Sequence, residues 1–298
     1  MITNTTTRTD TNTHAYSKMI TGFSDEIDQD LKIQVESIKK LGISHIEMRG
    51  VDGNNLIYHS NEKVKEIKKY LDENGITLSA LGTPLGKISI TDSFEPHFEE
   101  FKRAIEIAHM MDTPALRMFS FYLPEGCRPS DYESAVFERL GRFADYAASN
   151  GAICLHENEK GIYGEKAAEC RKIMDTFYSD HFKAIFDFAN FVQSGEDTME
   201  AYRILKPFIS YIHVKDALKT DGSVVPAGMG DGNVAAILSD LFASGYNGFL
   251  SLEPHLFNFA GLEALEGTDN KTTIKDTKKL TGFEAFSLAY ESLMKIIM

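Results

Sequence analysis

Four side chains able to bind a metal close four short apolar runs in the second half of this 298-residue chain. Glu157 ends the run at 152–157 (AICLHE), Asp187 that at 184–187 (AIFD), His213 that at 209–213 (ISYIH) and Glu253 that at 249–253 (FLSLE). Three carboxylates and an imidazole gathered at one place repel unless a cation or protons neutralise them. The set is hard and rich in oxygen, so one divalent ion is expected. Mn²⁺ comes first, with Mg²⁺, Co²⁺ and Zn²⁺ as alternatives, and a thiolate-held structural zinc does not fit.

Gathering them requires successive strands whose ends meet. From Met19 onward, apolar runs of strand length alternate with segments of helical period, which is the pattern of repeated βα units. Strands are expected over 20–24, 43–49, 77–81, 115–121, 152–157, 184–188, 209–215 and 248–253. Helices are expected over 31–41, 62–74, 99–111, 132–149, 165–177, 198–205, 233–244 and 283–297. Eight such strands close into a single (β/α)8 TIM barrel over residues 19–298, with the metal site at its C-terminal face. Gly42, Gly75, Gly151 and Gly245 each follow a helix and suit a left-handed C-terminal turn. Two long segments, 218–232 and 255–281, follow the strands of His213 and Glu253 and are expected to stand over the barrel mouth as a lid or subunit contact.

Composition narrows the class. A hydrophobic fraction of 43% with 25% charged residues suits a soluble enzyme, and no run approaches the roughly 20 apolar residues that span a bilayer. A formal net charge of -13 repels phosphate polymers, so nucleic acid is not an expected partner. Cys127, Cys154 and Cys170 share no CxxC spacing, which argues against a disulfide framework and for a reducing cytoplasm. Residues 1–18 open with a Thr/Asn-rich polar tract lacking the apolar core of a secretory signal, and are expected to form a flexible tail.

The segments LHENEKGIYG (155–164), FDFANFVQSGED (186–197), YIHVKDA (211–217), VPAGMGDGNV (225–234) and GFLSLEPHL (248–256) carry a resemblance. In order and spacing they resemble the xylose-isomerase-like TIM barrel superfamily, in its sugar phosphate isomerase and epimerase branch. GFSDEI (22–27), ISHIEMRG (43–50) and GTPLGKI (82–88) resemble it more diffusely. The resemblance implies that Glu157, Asp187, His213 and Glu253 hold one divalent metal, and that Glu157 and Glu253 also serve as the catalytic acid/base pair. It also implies a small sugar-like substrate and, as is common in the family, a homo-oligomer.

Such a site would remove a proton beside a carbonyl, give an enediolate, and return a proton elsewhere, inverting a carbon or moving the carbonyl. Elimination from a keto-inositol or keto-glycoside shares the first step and is the alternative, and an abasic-site endonuclease is the remote one. The chain departs from the ketose 3-epimerase pattern Asp-x-x-His, reading Asp187-Phe188-Ala189-Asn190, so Asn190 offers hydrogen bonds but no titrating ring. Asn190, Lys215 and Glu47 are the expected substrate contacts; Asp216 follows Lys215 and could reach a hydroxyl, carboxylate or phosphate. His156 alternates away from Glu157 and is expected to pack; His255 is placed either at the mouth or in solvent. Glu47 and Arg49 share strand parity, which allows an ion pair. GMGDG (228–232) lacks the ending of a phosphate loop and reads as a flexible turn.

Overall fold

The computed structural model describes residues 18–256, 259 and 280–298. The tail expected over 1–18 lies outside these residues except at Lys18, as does most of the segment 255–281.

Eight strands make one sheet: β1 (Ile20–Gly22), β2 (His45–Met48), β3 (Thr77–Leu81), β4 (Ala115–Met118), β5 (Ile153–Glu157), β6 (Phe182–Asp187), β7 (Ile209–Val214) and β8 (Phe249–Leu252). Neighbours run parallel in the order β1-β8-β7-β6-β5-β4-β3-β2. The two end strands, β1 and β2, lie side by side, so the sheet curls into a single (β/α)8 TIM barrel, as expected. The helices follow the strands: α1 (Leu31–Lys40), α2 (Asn61–Glu73), α3 (Phe94–Met110), α4 (Pro129–Ser149), α5 (Ala167–Phe177), α6 (Phe188–Gln193), α7 (Thr198–Leu205), α8 (Val234–Ala243) and α9 (Gly282–Ile297).

Alternation along the strands sorts side chains into two packing regions. Ala80, Leu155, Ile185 and Tyr211 fill part of the barrel interior, with Ala115, Ile153 and Phe249 against them. The intervening residues, among them Met118, Cys154, Phe186, Ile212 and Leu250, join the larger core between strands and helices. Gly42, Gly75, Gly151 and Gly245 have φ of 74°, 70°, 67° and 87°. A Cβ at any of them would meet nothing within 4 Å, so glycine is there for its backbone conformation and not for space.

The differences from expectation lie at element ends and in short elements. Helix α3 starts at Phe94 and not at 99, because Pro96 falls in the first turn, where the missing N–H has no intrahelical partner to lose. Helix α4 likewise starts on Pro129. The apolar stretch after Asp187 turns at once into α6, a helix the sequence reading missed, and the Asp187 side chain caps it. Two short hairpins, Gly50–Val51 with Asn54–Asn55 and Asp216–Ala217 with Val224–Val225, were also missed. All three cysteines are free. Among the described residues no helix is long and apolar enough to cross a membrane.

Candidate metal centre

Register brings the four expected ligands to one spot. In the ladder Asp187 of β6 faces His213 of β7, and His213 faces Ser251 of β8, two residues before Glu253. Glu157 ends β5 and pairs with Ile185, two residues before Asp187. One ligand atom from each of Glu157, Asp187, His213 and Glu253 lies within 4.8 Å of the others. Their relative exposures are 1%, 0%, 0% and 3%, so the cluster is out of water.

Glu157 Oε2, Asp187 Oδ2 and Glu253 Oε2 are buried with no hydrogen-bond partner among the described residues. Buried oxygens of this kind are costly unless something satisfies them. Lys215 Nζ stands 3.3 Å from Glu253 Oε2 and 3.5 Å from Asp187 Oδ2, and Arg117 Nη1 stands 3.3 Å from Glu157 Oε2. All three exceed the usual length of a charge-assisted hydrogen bond. Three hard oxygens with an imidazole beside them fit a divalent ion well.

Behind this group, His213 is held from both sides. Nδ1 lies 2.9 Å from Glu157 Oε1 and 3.5 Å from Glu253 Oε2, while Nε2 lies 3.1 Å from Glu47 Oε2. Ser251 Oγ donates to the same Glu47 oxygen at 2.6 Å. Asp187 divides its carboxylate, Oδ1 accepting the Asn190 N–H at 2.7 Å. The Asn158 side chain brackets the Asp187 backbone, donating to its carbonyl at 3.1 Å and accepting its N–H at 3.0 Å. Asn190 Nδ2 donates to Asn158 O at 2.9 Å and reaches Glu157 Oε1 at 3.4 Å.

Around Glu253 the structure gathers positive groups the sequence reading largely overlooked. Arg49 Nη1 and His255 Nε2 each lie 3.4 Å from Glu253 Oε1, and Arg117 Nη1 lies 3.8 Å away. Arg49 also forks onto Asp25 at 2.8 and 3.2 Å and reaches Glu26 Oε1 at 3.4 Å, so its ion partners are these acids and not Glu47. Both guanidinium groups stack on Phe23, Arg49 at 4.4 Å and Arg117 at 4.8 Å from its centroid. His255 is buried, with its N–H on Glu26 Oε2 at 2.8 Å and a left-handed φ of 45°. Arg117 was findable, since strand parity in ALRM sets it on the inner face with Ala115.

Electrostatics follow from burial without water. Burial pushes the Asp187 carboxyl up to about 7, Lys215 opposing and Glu253 and Glu157 adding to the rise. Burial likewise raises Glu26 to about 7, with His255 and Arg49 opposing. Burial disfavours charge on His213, yet Glu157 and Glu47 hold its imidazole well above the ordinary value. Burial also works against ionised Glu253, but Lys215 and His255 keep it well below the carboxylate range. The group thus draws positive charge inward, whether as protons, side chains or a metal ion.

Two other expectations resolve. His156 points away from the cluster, stacks on Phe182 at 6.5 Å, and is lowered to about 3 by burial. Asp216, expected near substrate, instead sits inside the glycine-rich loop, accepting N–H groups of Ala217, Gly228, Gly230 and Gly232 at 2.9–3.0 Å. A Cβ on Gly230 or Gly232 would lie 2.4 or 2.6 Å from Asp216 Oδ1, so GMGDG is a fitted cradle for a carboxylate of its own chain.

The family model described as the xylose isomerase-like TIM barrel matches residues 35–277. This chain belongs to that family. A curated relative, the 3-dehydroshikimate dehydratase of Bacillus anthracis, is 19% identical over 180 residues, 60% of this chain, and the chain spans 64% of that relative's length. Among solved structures, the E. coli 3-keto-D-glucoside 4-epimerase superposes with a TM-score of 0.66 at 16% identity, covering 94% of this chain and 99% of that one. A structure of the IolI protein with a bound zinc atom gives a TM-score of 0.72 at 18% identity, covering 94% and 98%. At these identities the superpositions establish a shared fold.

Proposed function

We propose that the protein is a divalent-metal-dependent isomerase or epimerase of a sugar or sugar-like polyhydroxy carbonyl compound, working through an enediolate. The observation that carries this reading is the convergence of Glu157, Asp187, His213 and Glu253, with three carboxylate oxygens lacking hydrogen-bond partners. These residues would hold the ion, which when bound supplies Lewis acidity to the oxygens of the substrate's carbonyl and adjacent hydroxyl. Mn²⁺ is the ion we favour for this oxygen-rich set; the zinc in the IolI protein supports a divalent ion without choosing among them.

Glu157 and Glu253 form the acid/base pair, one taking the proton beside the carbonyl and the other returning one. Metal ligation weakens a carboxylate as a base, and burial of the pair offsets this by keeping water out. Lys215, at the edge of the ligand group, remains the substrate contact. Asn190 serves instead to orient Glu157, because its amide is engaged with Asn158 and that carboxylate. Glu47 moves from substrate contact to support of His213, since it is fully buried behind the imidazole. The abasic-site endonuclease stays the remote alternative, opposed by a net charge of -13 that repels a phosphate polymer.

Elimination is the second reading, and Arg117 favours it. Its Nε is buried without a hydrogen-bond partner beside Lys215 and Arg49, an arrangement suited to an acidic substrate, and the curated relative is named as a dehydratase of 3-dehydroshikimate. Proton NMR in D₂O of the Mn²⁺-loaded protein with ketoses, keto-inositols, 3-keto-glycosides and 3-dehydroshikimate separates the two. Deuterium entering one carbon with the parent, and not with Glu253→Gln, supports the isomerase or epimerase. New vinylic, aromatic or released-aglycone signals select elimination, and no exchange with any of them removes both.

A further inference from the structure

We infer that Glu47 is a positioning residue whose carboxylate keeps a proton on His213 Nε2 and thereby turns the Nδ1 lone pair toward the ion position. The inference rests on the metal-site reading above and adds a residue outside the four ligands. Glu47 and His213 both have 0% exposure, and Nε2 lies 3.1 and 3.3 Å from the two Glu47 oxygens. An ionised carboxylate only accepts hydrogen bonds, so the ring nitrogen facing it must carry hydrogen. Nδ1 also faces carboxylates, Glu157 at 2.9 Å and Glu253 at 3.5 Å, but these belong to the expected ligand set, so Nδ1 is the nitrogen that would exchange its hydrogen for the ion while Nε2 keeps its own.

The surroundings fix Glu47 in this task. The pairing of β2 with β3 shifts register at this step, Ile46 facing Leu78 and Glu47 facing Ala80, so Ser79 of β3 is the extra residue beside Glu47. Ser251 donates to Glu47 Oε2 at 2.6 Å. On the same interior the Tyr211 hydroxyl meets Ser79 Oγ at 2.9 Å, and Ser79 meets Thr21 at 2.8 Å. Buried polar groups therefore line the barrel interior from β1 to the imidazole. The His213 ring is further clamped by Phe23 and Tyr211, edge-on at centroid distances of 5.3 and 5.8 Å. A carboxylate buried this deeply is expensive to keep, and its one direct contact with the ligand group is His213 Nε2, on the side away from the other ligands.

The test is Mn²⁺ affinity by calorimetry for the parent, Glu47→Gln and Glu47→Leu, with ¹⁵N NMR of the zinc-loaded parent. Leucine should weaken binding about 10 to 100-fold, the usual effect of losing a partner of this kind. Glutamine, whose amide oxygen still accepts from Nε2, should stay within a few-fold of the parent. The zinc-loaded parent should show His213 metallated at Nδ1 and protonated at Nε2. Metal on Nε2, a folded leucine variant with parental affinity, or a glutamine variant as weak as the leucine one overturns the inference. The parent spectrum decides the matter even where the leucine variant does not fold. A parent that binds no divalent ion would instead overturn the metal-site reading, which is a different result from any of these.

Discussion

The carboxylate of Asp187 is shared between two jobs: Oδ1 accepts the Asn190 N–H at 2.7 Å and caps α6, while Oδ2 faces the other ligands. An asparagine keeps the cap and loses the charge, because Asn and Asp are comparable at a helix N-cap. We expect Asp187→Asn to retain a cooperative thermal transition and to lose its shift on adding Mn²⁺. Asp187→Ala should melt lower than the asparagine variant by about 1 kcal/mol in ΔG, from the cap alone. Equal responses of Asp187→Asn and the parent to the ion would remove Asp187 from the ligand set.

Glu157→Gln should abolish turnover while weakening metal binding less than His213→Ala does. The amide keeps one oxygen as a neutral ligand but cannot take a proton at ordinary pH. Calorimetry of both variants beside a turnover assay checks this, and parental turnover by Glu157→Gln would end its acid/base role.

Removing divalent ions should destabilise the fold, since the ion binds the native barrel and not the unfolded chain. At about 100 times its dissociation constant an ion adds about 2.7 kcal/mol, enough to raise Tm by several degrees. Differential scanning calorimetry with excess EDTA against excess Mn²⁺ reads the difference directly. Superimposable melts would mean that the buried carboxylates are compensated within the chain.

The loop around Asp216 gives a prediction independent of metal. Asp216→Ala leaves four backbone N–H groups without their acceptor, and each such loss costs about 1–3 kcal/mol where water cannot replace it. Hydrogen exchange at 228–232 should therefore speed up sharply, and Gly230→Ala should produce the same change by forcing the carboxylate aside. Unchanged exchange in both variants would show that the cradle does not hold the loop.

Much of the architecture was readable because its determinants are local. Apolar runs of strand length and glycines with open space and positive φ mark barrel units wherever they fall, and Glu157, Asp187, His213 and Glu253 stood out by closing such runs. What stayed hidden depends on pairing between distant strands. Glu47 looks like any inward acid in HIEM until the closed barrel sets it against a histidine 166 positions later. Arg117 looks like a core exception until Phe23 supplies a face for it and Glu157 a charge. Helix α6 was missed because six residues are too few to show a helical period, and its start is marked only by the capping side chain of Asp187 at a strand end.

The placement of β8 gives the ligand group a meaning for assembly. This strand hydrogen-bonds β7 on one side and β1 on the other, and it delivers Glu253. A chain released before Phe249 would carry three of the four ligands beside two open sheet edges, with no ring to hold them. High-affinity ion binding would then appear only when the last strand closes the circle, and the ion would act as a seal on a finished barrel. A newly made chain could gather metal only after its two ends had found each other.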